Sequence, residues 1–275
     1  MKIKTLILAS LACLLAACAE DVERPAQEYL ARAQELYAHK QYHTAKLQLD
    51  SIKVLYPKAF ETRKQAQALL LQVELAESEA GKAYIDSLLH DVSAKVEPLT
   101  AKLYLDKDTR YQEVGHYYAP AHRIESNVSR SYLRPQVDER GACTIVAFYR
   151  GKPIQAHTLR LTATDGTFVE LKAAYEPYVS SDALGRSERT DFVVEPDNNI
   201  VSFVALQQGK SVKATLVGAA GNATVSFAKA DAQALQTVCE LGAVLRSVSD
   251  LLGQSQELER RIRFFTARVE GDTVQ

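Results

Sequence analysis

The sequence has no tryptophan and only four cysteines. It also lacks any run of about 20 consecutive apolar residues, the length a helix needs to cross a bilayer. Charge of one sign is missing as well. The 33 basic residues are matched by 34 acidic ones, a formal net charge of -1, so no global field draws the chain to nucleic acid or to an acidic membrane surface. The absence of tryptophan removes the ring that sugar-stacking platforms use most. With 47% hydrophobic and 24% charged residues, the chain falls outside the disordered and low-complexity classes and is expected to fold without metals or many disulfides.

Catalytic signatures are absent too. There is no glycine-rich phosphate loop, no His-Glu-x-x-His helix and no Gly-x-Ser-x-Gly elbow; Gly253-Gln254-Ser255-Gln256-Glu257 lacks the second glycine. His39 and His43 have helical spacing but straddle an expected turn, which sets them aside as a metal pair. Asp106-Lys107-Asp108 and Glu195-Pro196-Asp197 lack the alternating oxygen ligands and the glycine of a calcium loop, and read as turns. The expectation is a protein that is not an enzyme, with no cofactor and no metal.

What is present begins with an address. Lys2 and Lys4 precede an apolar run from Leu6 to Leu15, the charged start and short hydrophobic middle of a secretory signal over residues 1–17. The run ends in Leu15-Ala16-Ala17-Cys18, which resembles the lipobox of bacterial lipoproteins. The resemblance implies cleavage before Cys18 and acylation of its thiol, palmitate included. More than one acyl chain would hold the mature chain stably at a membrane surface. Residues 18–24 then form a lipidated tether. Ala19 departs from the aspartate that retains enteric lipoproteins in the inner membrane, which favours the outer membrane. Glu20-Asp21 looks like the acidic tag of surface-exposed Bacteroidota lipoproteins, although two acidic residues also suit a solvated tether. Cys13 leaves with the signal, so Cys143 and Cys239 remain as thiols. An exported compartment permits them to pair, and nothing in the sequence shows that their side chains meet.

Residues 25–98 read as helical, with no glycine before Gly81 and Pro57 alone between Pro25 and Pro98. Tyr29, Ala33 and Leu36 on a first helix, Tyr42, Ala45, Leu49 and Ile52 on a second, and Pro57 at the close make residues 26–59 resemble a tetratricopeptide repeat. Arg32 and Ile52 depart from that family's usual residues. A lone repeat cannot bury both faces, and a third helix with a stripe of Ala66, Leu69, Val73, Ala76, Ala80, Tyr84, Leu88 and Val92 follows it.

Residues 99–229 carry strand signals, and an antiparallel β-sandwich or small barrel is expected. Both faces of Cys143 to Tyr149 look buried. Leu159 and Leu161, the Asp165-Gly166 turn and Phe168 to Leu171 give the strongest hairpin signal. Further strands are expected at Phe192 to Val194, Ile200 to Leu206, Val212 to Val217 and Thr224 to Phe227, with a turn at Gln208-Gly209. Asp231 then looks like an N-cap for a helix over 230–269, with a kink or a change of partner near Gly253 and Ser255, and a tail at 270–275. The fold class is therefore α+β. The long helices, each about 55 Å at 1.5 Å per residue, are expected to pack antiparallel as a stalk, with the β-domain inserted between them.

One stretch invites a binding role. Tyr104, Tyr111, Tyr117, Tyr118 and Tyr132 are interleaved with Lys107, Arg110, Arg123 and Arg130, and Tyr and Arg are favoured interface anchors. The same rings also suit packing between sheet and helices. Arg260, Arg261 and Arg263 are balanced by Glu257 and Glu259 and read as a solvated helix face, so no nucleic acid is expected. The layout resembles Bacteroidota lipoproteins that join a helical region to a β-domain. Those lipoproteins supply no mechanism; the lipobox together with a repeat-like hairpin and no catalytic motif leads to the expectation of a membrane-anchored, non-enzymatic component that binds a protein partner. The alternative is a surface lipoprotein holding a glycan or peptide.

Overall fold

The two small residues at the expected helix crossing set the geometry of the N-terminal hairpin. Helix α1 (Glu23–Ala38) and helix α2 (Tyr42–Leu55) meet through Ala33 and Ala45, both fully buried, with Ala26, Leu30, Leu49 and Ile52 around them. The computed structural model of the protein describes residues 22–207 and 210–272. The expected signal segment, Cys18 with its tether up to Asp21, and the turn at Gln208-Gly209 lie outside the described residues. So do the last residues of the chain, from Thr273 on.

Between α1 and α2 the chain reverses at Lys40, whose φ of 58° is left-handed. The Gln41 amide donates to the Leu36 carbonyl and the Lys40 amide to Tyr37, the bond pair that closes a helix with a left-handed residue just past its end. Helix α3 (Phe60–Ser93) follows Pro57 and runs for 34 residues. Its start is capped from another helix. The Glu23 carboxylate accepts from the amides of Glu61 and Thr62 and, at 2.6 Å, from the Thr62 hydroxyl. That hydroxyl bond, helped by the two amides, lowers the Glu23 pKa below the usual carboxylate value.

The chain divides into two units. The first contains the residues up to Asp86 and those from Gln254 on, and its core gathers Ala26, Leu30, Leu49, Ile52, Leu69 and Val73 among others. In it α3 packs on the end of the C-terminal helix, introduced below. Glu74 accepts from Arg261 at 2.9 Å, Gly81 faces Leu258, and Asp86 accepts from the Ser255 hydroxyl at 2.6 Å. Numbers rise on one helix as they fall on the other, so the two run antiparallel.

The second unit, Ser87–Gly253, opens with the short helix α4 (Val96–Thr100) and continues as two antiparallel sheets. The six-stranded sheet contains β1 (Tyr104–Asp106), β2 (His116–Tyr118), β3 (Tyr132–Asp138), β4 (Cys143–Arg150), β7 (Tyr178–Asp182) and β8 (Gly185–Val193), in the order β1-β2-β3-β4-β8-β7. The four-stranded sheet orders β10 (Gly221–Val225), β9 (Val212–Gly218), β5 (Ala156–Ala163) and β6 (Phe168–Lys172). The two sheets do not close into a barrel. They share one core, with Leu133, Ile145 and Phe192 from the first and Leu159, Leu161 and Leu216 from the second, all essentially buried. The β5–β6 hairpin turns where the sequence placed it, with Gly166 at φ 88° and the Asp165 carboxylate accepting from the Thr167 amide and hydroxyl.

Ile200 to Leu206, expected as a strand, is helix α5 (Ile200–Leu206). Its apolar residues sit three and four apart. Ile200 and Val204 are buried, whereas the alternation of a strand would have paired them with Ser202 and Leu206, and Leu206 is 76% exposed. The C-terminal helix α6 (Lys229–Asp272) is continuous, with no break near Gly253. Only the change of partner occurs: Leu235, Val238 and Leu241 enter the core of the second unit, while Leu258 and Arg261 meet α3 in the first. Asp231 lies inside the first turn of α6 rather than at its cap, and its Oδ2 accepts the Ala228 amide at 2.6 Å, the return arm of a capping box.

A buried acid organises the segment before β5. Glu188 is 1% exposed, and its two carboxylate oxygens accept the amides of Ile154, Gln155 and Ala156 at 2.8, 2.9 and 2.7 Å. Gln155 takes a left-handed φ of 57° to present them. The Ile154 and Gln155 carbonyls are in turn bound by the amides of Ala220 and Ala219.

Candidate functional site

The tyrosine and arginine set proposed from sequence divides in space. Tyr117 pairs with Val137 and packs on the shared core, while its neighbour Tyr118 points to the opposite face, as alternation along a strand requires. Tyr118 is 2% exposed and donates to Asp106 at 2.9 Å. Burial first and the Asp106 acceptor second raise its pKa far above the ordinary phenol value. Tyr104 lies against Tyr118 with ring centroids 5.5 Å apart, and the Arg123 guanidinium covers Tyr104 at 4.4 Å. Tyr111 and Arg110 stand elsewhere. Tyr111 is 83% exposed with Arg110 over its ring at 5.4 Å, and Arg110 is held by the Asp108 carboxylate. Of these residues, therefore, Tyr104, Tyr118 and Arg123 form one packed cluster, while Tyr111, with Arg110 over its ring, stands exposed.

The centre of that cluster is a residue the sequence did not single out. Arg134, 5% exposed, lies between the rings of Tyr118 at 4.5 Å and Phe148 at 5.0 Å. Among the described residues its Nε and Nη1 have no hydrogen-bond acceptor, and Tyr132 Oη and Gln136 Oε1 in the same row of β3 are equally unpartnered. Burial lowers the Arg134 pKa and raises that of Tyr132. The rings return part of the desolvation cost through cation–π attraction, but buried charges without full hydrogen bonding are often replaced by apolar side chains at no loss. Arg134→Met is accordingly expected to leave the unfolding midpoint unchanged or to raise it. A fall of more than about 3 °C, roughly 1 kcal/mol at this size, would show that the ring contacts outweigh the orphaned donors.

The two cysteines come to one place: Cys143 on β4 belongs to the core of the second unit, Cys239 on α6 packs against that core, and Cys143 Sγ lies 3.7 Å from the carbonyl of Val238, the residue before Cys239; both are free thiols. His122, 3% exposed, places Nε2 2.6 Å from Asp231 Oδ1, fixing the turn at Pro120–His122 to the start of α6. His39 is the C-cap of α1 and bonds the Glu35 carbonyl, while His43 stands on α2. Lys107 pairs with Glu139, and the Asn198 amide closes a turn on the Glu195 carbonyl. Among the described residues no cluster of three His, Cys, Asp or Glu side chains could hold a metal, and no helix is long and apolar enough to cross a membrane.

A concavity lies in the first unit. Helices α2 and α3 and the end of α6 line a groove of about 680 Å³. Its wall includes Leu49, Ile52, Leu70 and Phe265, and Phe60, 71% exposed, stands at its rim. Lys53, Arg63, Lys64 and Arg268 face it against Asp50 and Glu74. Glu74 is already engaged by Lys46 and Arg261, whereas Lys53 and Lys64 have no ion pair among the described residues. The groove is thus apolar at its base and carries a surplus of positive charge. Sequence reading missed it because its residues come from three helices and share no motif; the one available signal was Phe60, the first residue of a helix whose buried stripe starts farther on.

Comparison with protein-family models, with curated proteins and with solved structures finds no match to this chain.

Proposed function

We propose that this chain is a lipid-anchored, non-enzymatic protein-binding component of a bacterial envelope or cell surface. The groove of the first unit receives an amphipathic, acidic segment of a partner protein. The observation that carries the reading is the pairing of an exposed aromatic, Phe60, with an apolar floor and unmatched Lys53 and Lys64 beside Arg268. Apolar anchors supply affinity in such a groove, and acidic flanks complement its rim. The repeat-like hairpin of residues 26–59 supports the same reading, since units of that kind offer faces that neighbours or partners cover. The anchor rests on Lys2, Lys4, the run from Leu6 to Leu15, and Cys18. The outer membrane is the compartment that Ala19 favours.

The test places a photo-activated cross-linking residue at Phe60 in the full chain in cells, with Phe168 on the four-stranded sheet as the comparison position. Phe60 is expected to give discrete adducts with an acidic, apolar peptide of another protein. The double reversal K64E/R268E should reduce them about tenfold. Equal adducts at both positions, adducts indifferent to the reversal, or adducts to this chain itself would overturn the groove assignment. Cys18→Ala should release the protein from the membrane fraction; retention there would overturn the anchor. The alternative of a glycan or peptide ligand at the tyrosine cluster loses its motive with the burial of Tyr118 and the inward packing of Tyr117.

A further inference from the structure

The contact between β4 and α6 has a chemical content of its own. Cys143 Sγ lies 3.7 Å from the Val238 carbonyl, and a Cβ built on Gly242 would come within 2.5 Å of the same sulfur. Cys143 therefore rests on the helical turn from Val238 to Gly242, and Cys239 belongs to that turn. Cys143 is buried at 4% exposure, while Cys239 is half-buried, so Cys239 is the nearer of the two to solvent. Arg246, one to two turns farther along α6, donates to the Gly141 carbonyl in the β3–β4 turn, the same carbonyl that Cys143 Sγ approaches at 3.9 Å.

We propose that Cys143 and Cys239 are a reversible dithiol pair that closes to a disulfide, cross-linking β4 to the C-terminal helix within the second unit. The oxidant is a low-molecular-weight disulfide such as oxidised glutathione. Cys239, the less buried thiol, attacks one sulfur of the oxidant as its proton passes to the Cys143 thiolate, forming a mixed disulfide and releasing one equivalent of the small thiolate, which takes up the Cys143 proton. The Cys143 thiolate then attacks Cys239 Sγ; the S–S bond between the two side chains forms, and the second small thiol leaves. Two protein thiols are oxidised, one disulfide is reduced to two thiols, and the two protons lost by the protein end on them. The environment suits the exchange. The Cys143 thiol is pushed below its ordinary value, because the Cys239 S–H donates to its thiolate and Arg246 favours it, against the opposing effects of burial and Asp138; the same contact and burial keep the proton on Cys239. The proposal is independent of the groove and of the membrane anchor.

The experiment equilibrates the full-length protein with mixtures of oxidised and reduced glutathione, quenches in acid, alkylates free thiols and maps peptides without reduction. The expected product is a linked peptide joining Cys143 to Cys239, lost on adding excess dithiothreitol. The oxidised protein should also unfold several degrees above the reduced one, because the bond closes a long loop, and Cys239→Ser should abolish that difference. Recovery of both cysteines in alkylated form under oxidising mixtures would overturn the proposal. So would a product that stops at glutathione on Cys239, since the sulfurs would then be held apart. The mapping uses the unaltered chain, so it stands even if a variant folds poorly.

Discussion

Glu188→Ala is expected to destabilise the second unit by about 4 kcal/mol, the largest effect of any single substitution considered. Three backbone amides lose their acceptor at once, those of the buried Ile154 and Ala156 and that of the more exposed Gln155 between them. Hydrogen bonds to charged groups contribute about 1.5–3 kcal/mol each, and removing one partner of a buried ionic arrangement costs about 3–5 kcal/mol in all. The three do not add, because the segment relaxes as a unit once released. A fall of roughly 10 °C or more in the unfolding midpoint follows at this domain size, and near-ultraviolet dichroism of the tyrosines would follow it. Glu188→Gln should fall between, since the amide keeps one acceptor and turns an NH₂ toward N–H groups that cannot accept. If Glu188→Ala shifted the midpoint by less than about 3 °C, the amides would have another partner and the account of this segment would be wrong.

The second prediction sets two glycines of one helix against each other. Gly242→Ala should destabilise by about 1–3 kcal/mol, whereas Gly253→Ala should stabilise by about 0.5–1 kcal/mol. Alanine is the better helix former at both positions, by about 1 kcal/mol. At Gly242 the new methyl would stand 2.5 Å from Cys143 Sγ and 2.9 Å from the Gly141 carbonyl, so α6 would have to lift from the β3–β4 turn. At Gly253 nothing lies within 4 Å, and only the entropy of the unfolded chain changes. Chemical denaturation of the two variants side by side decides the matter; shifts of the same sign would mean that helix propensity, not contact with Cys143, governs Gly242.

Much of the fold is written in periodicity. The stripe on α3 and the run through Leu235, Val238 and Leu241 announce their helices, and Asp165-Gly166 between two apolar pairs announces its hairpin. The misread segment, Ile200 to Leu206, is seven residues long, short enough that β-branched content and helical spacing compete, and burial of Ile200 and Val204 decides for the helix. Strand β3 was obscured by Pro135, which reads as unsuited to an inner strand. The register resolves this: β2 ends with Tyr118 opposite Gln136, so Pro135 lies where β3 has β4 alone as neighbour.

The candidate sites were less legible, for reasons of the same kind. Adjacent Tyr117 and Tyr118 cannot share a face of a strand, so the cluster had to divide, but which ring turned inward depended on the register with Val137 and Gln136. Glu188 shares parity with Thr190 and Phe192, both buried; that alternation was readable, while the three amides it meets come from a segment more than 30 positions earlier. The meeting of Cys143 with Cys239 and the groove of the first unit depend on helices returning from far along the chain, which no local pattern records.

The clasp between Glu23 and the start of α3 has a mechanical meaning. A pull applied at Val22 passes directly into the first turn of α1, and there one carboxylate grips two amides and a hydroxyl of a different helix. The load is thus shared between α1 and α3 at its point of arrival instead of peeling α1 away from α2 one residue at a time. The grip is also conditional on charge. With its pKa held below the usual value, Glu23 stays ionised as a carboxylate normally would and beyond, and it lets go only as the medium becomes acidic enough to protonate it. Under traction, the first unit is therefore fastened most firmly in neutral surroundings, and acid is the condition under which its leading helix would be the first to shear.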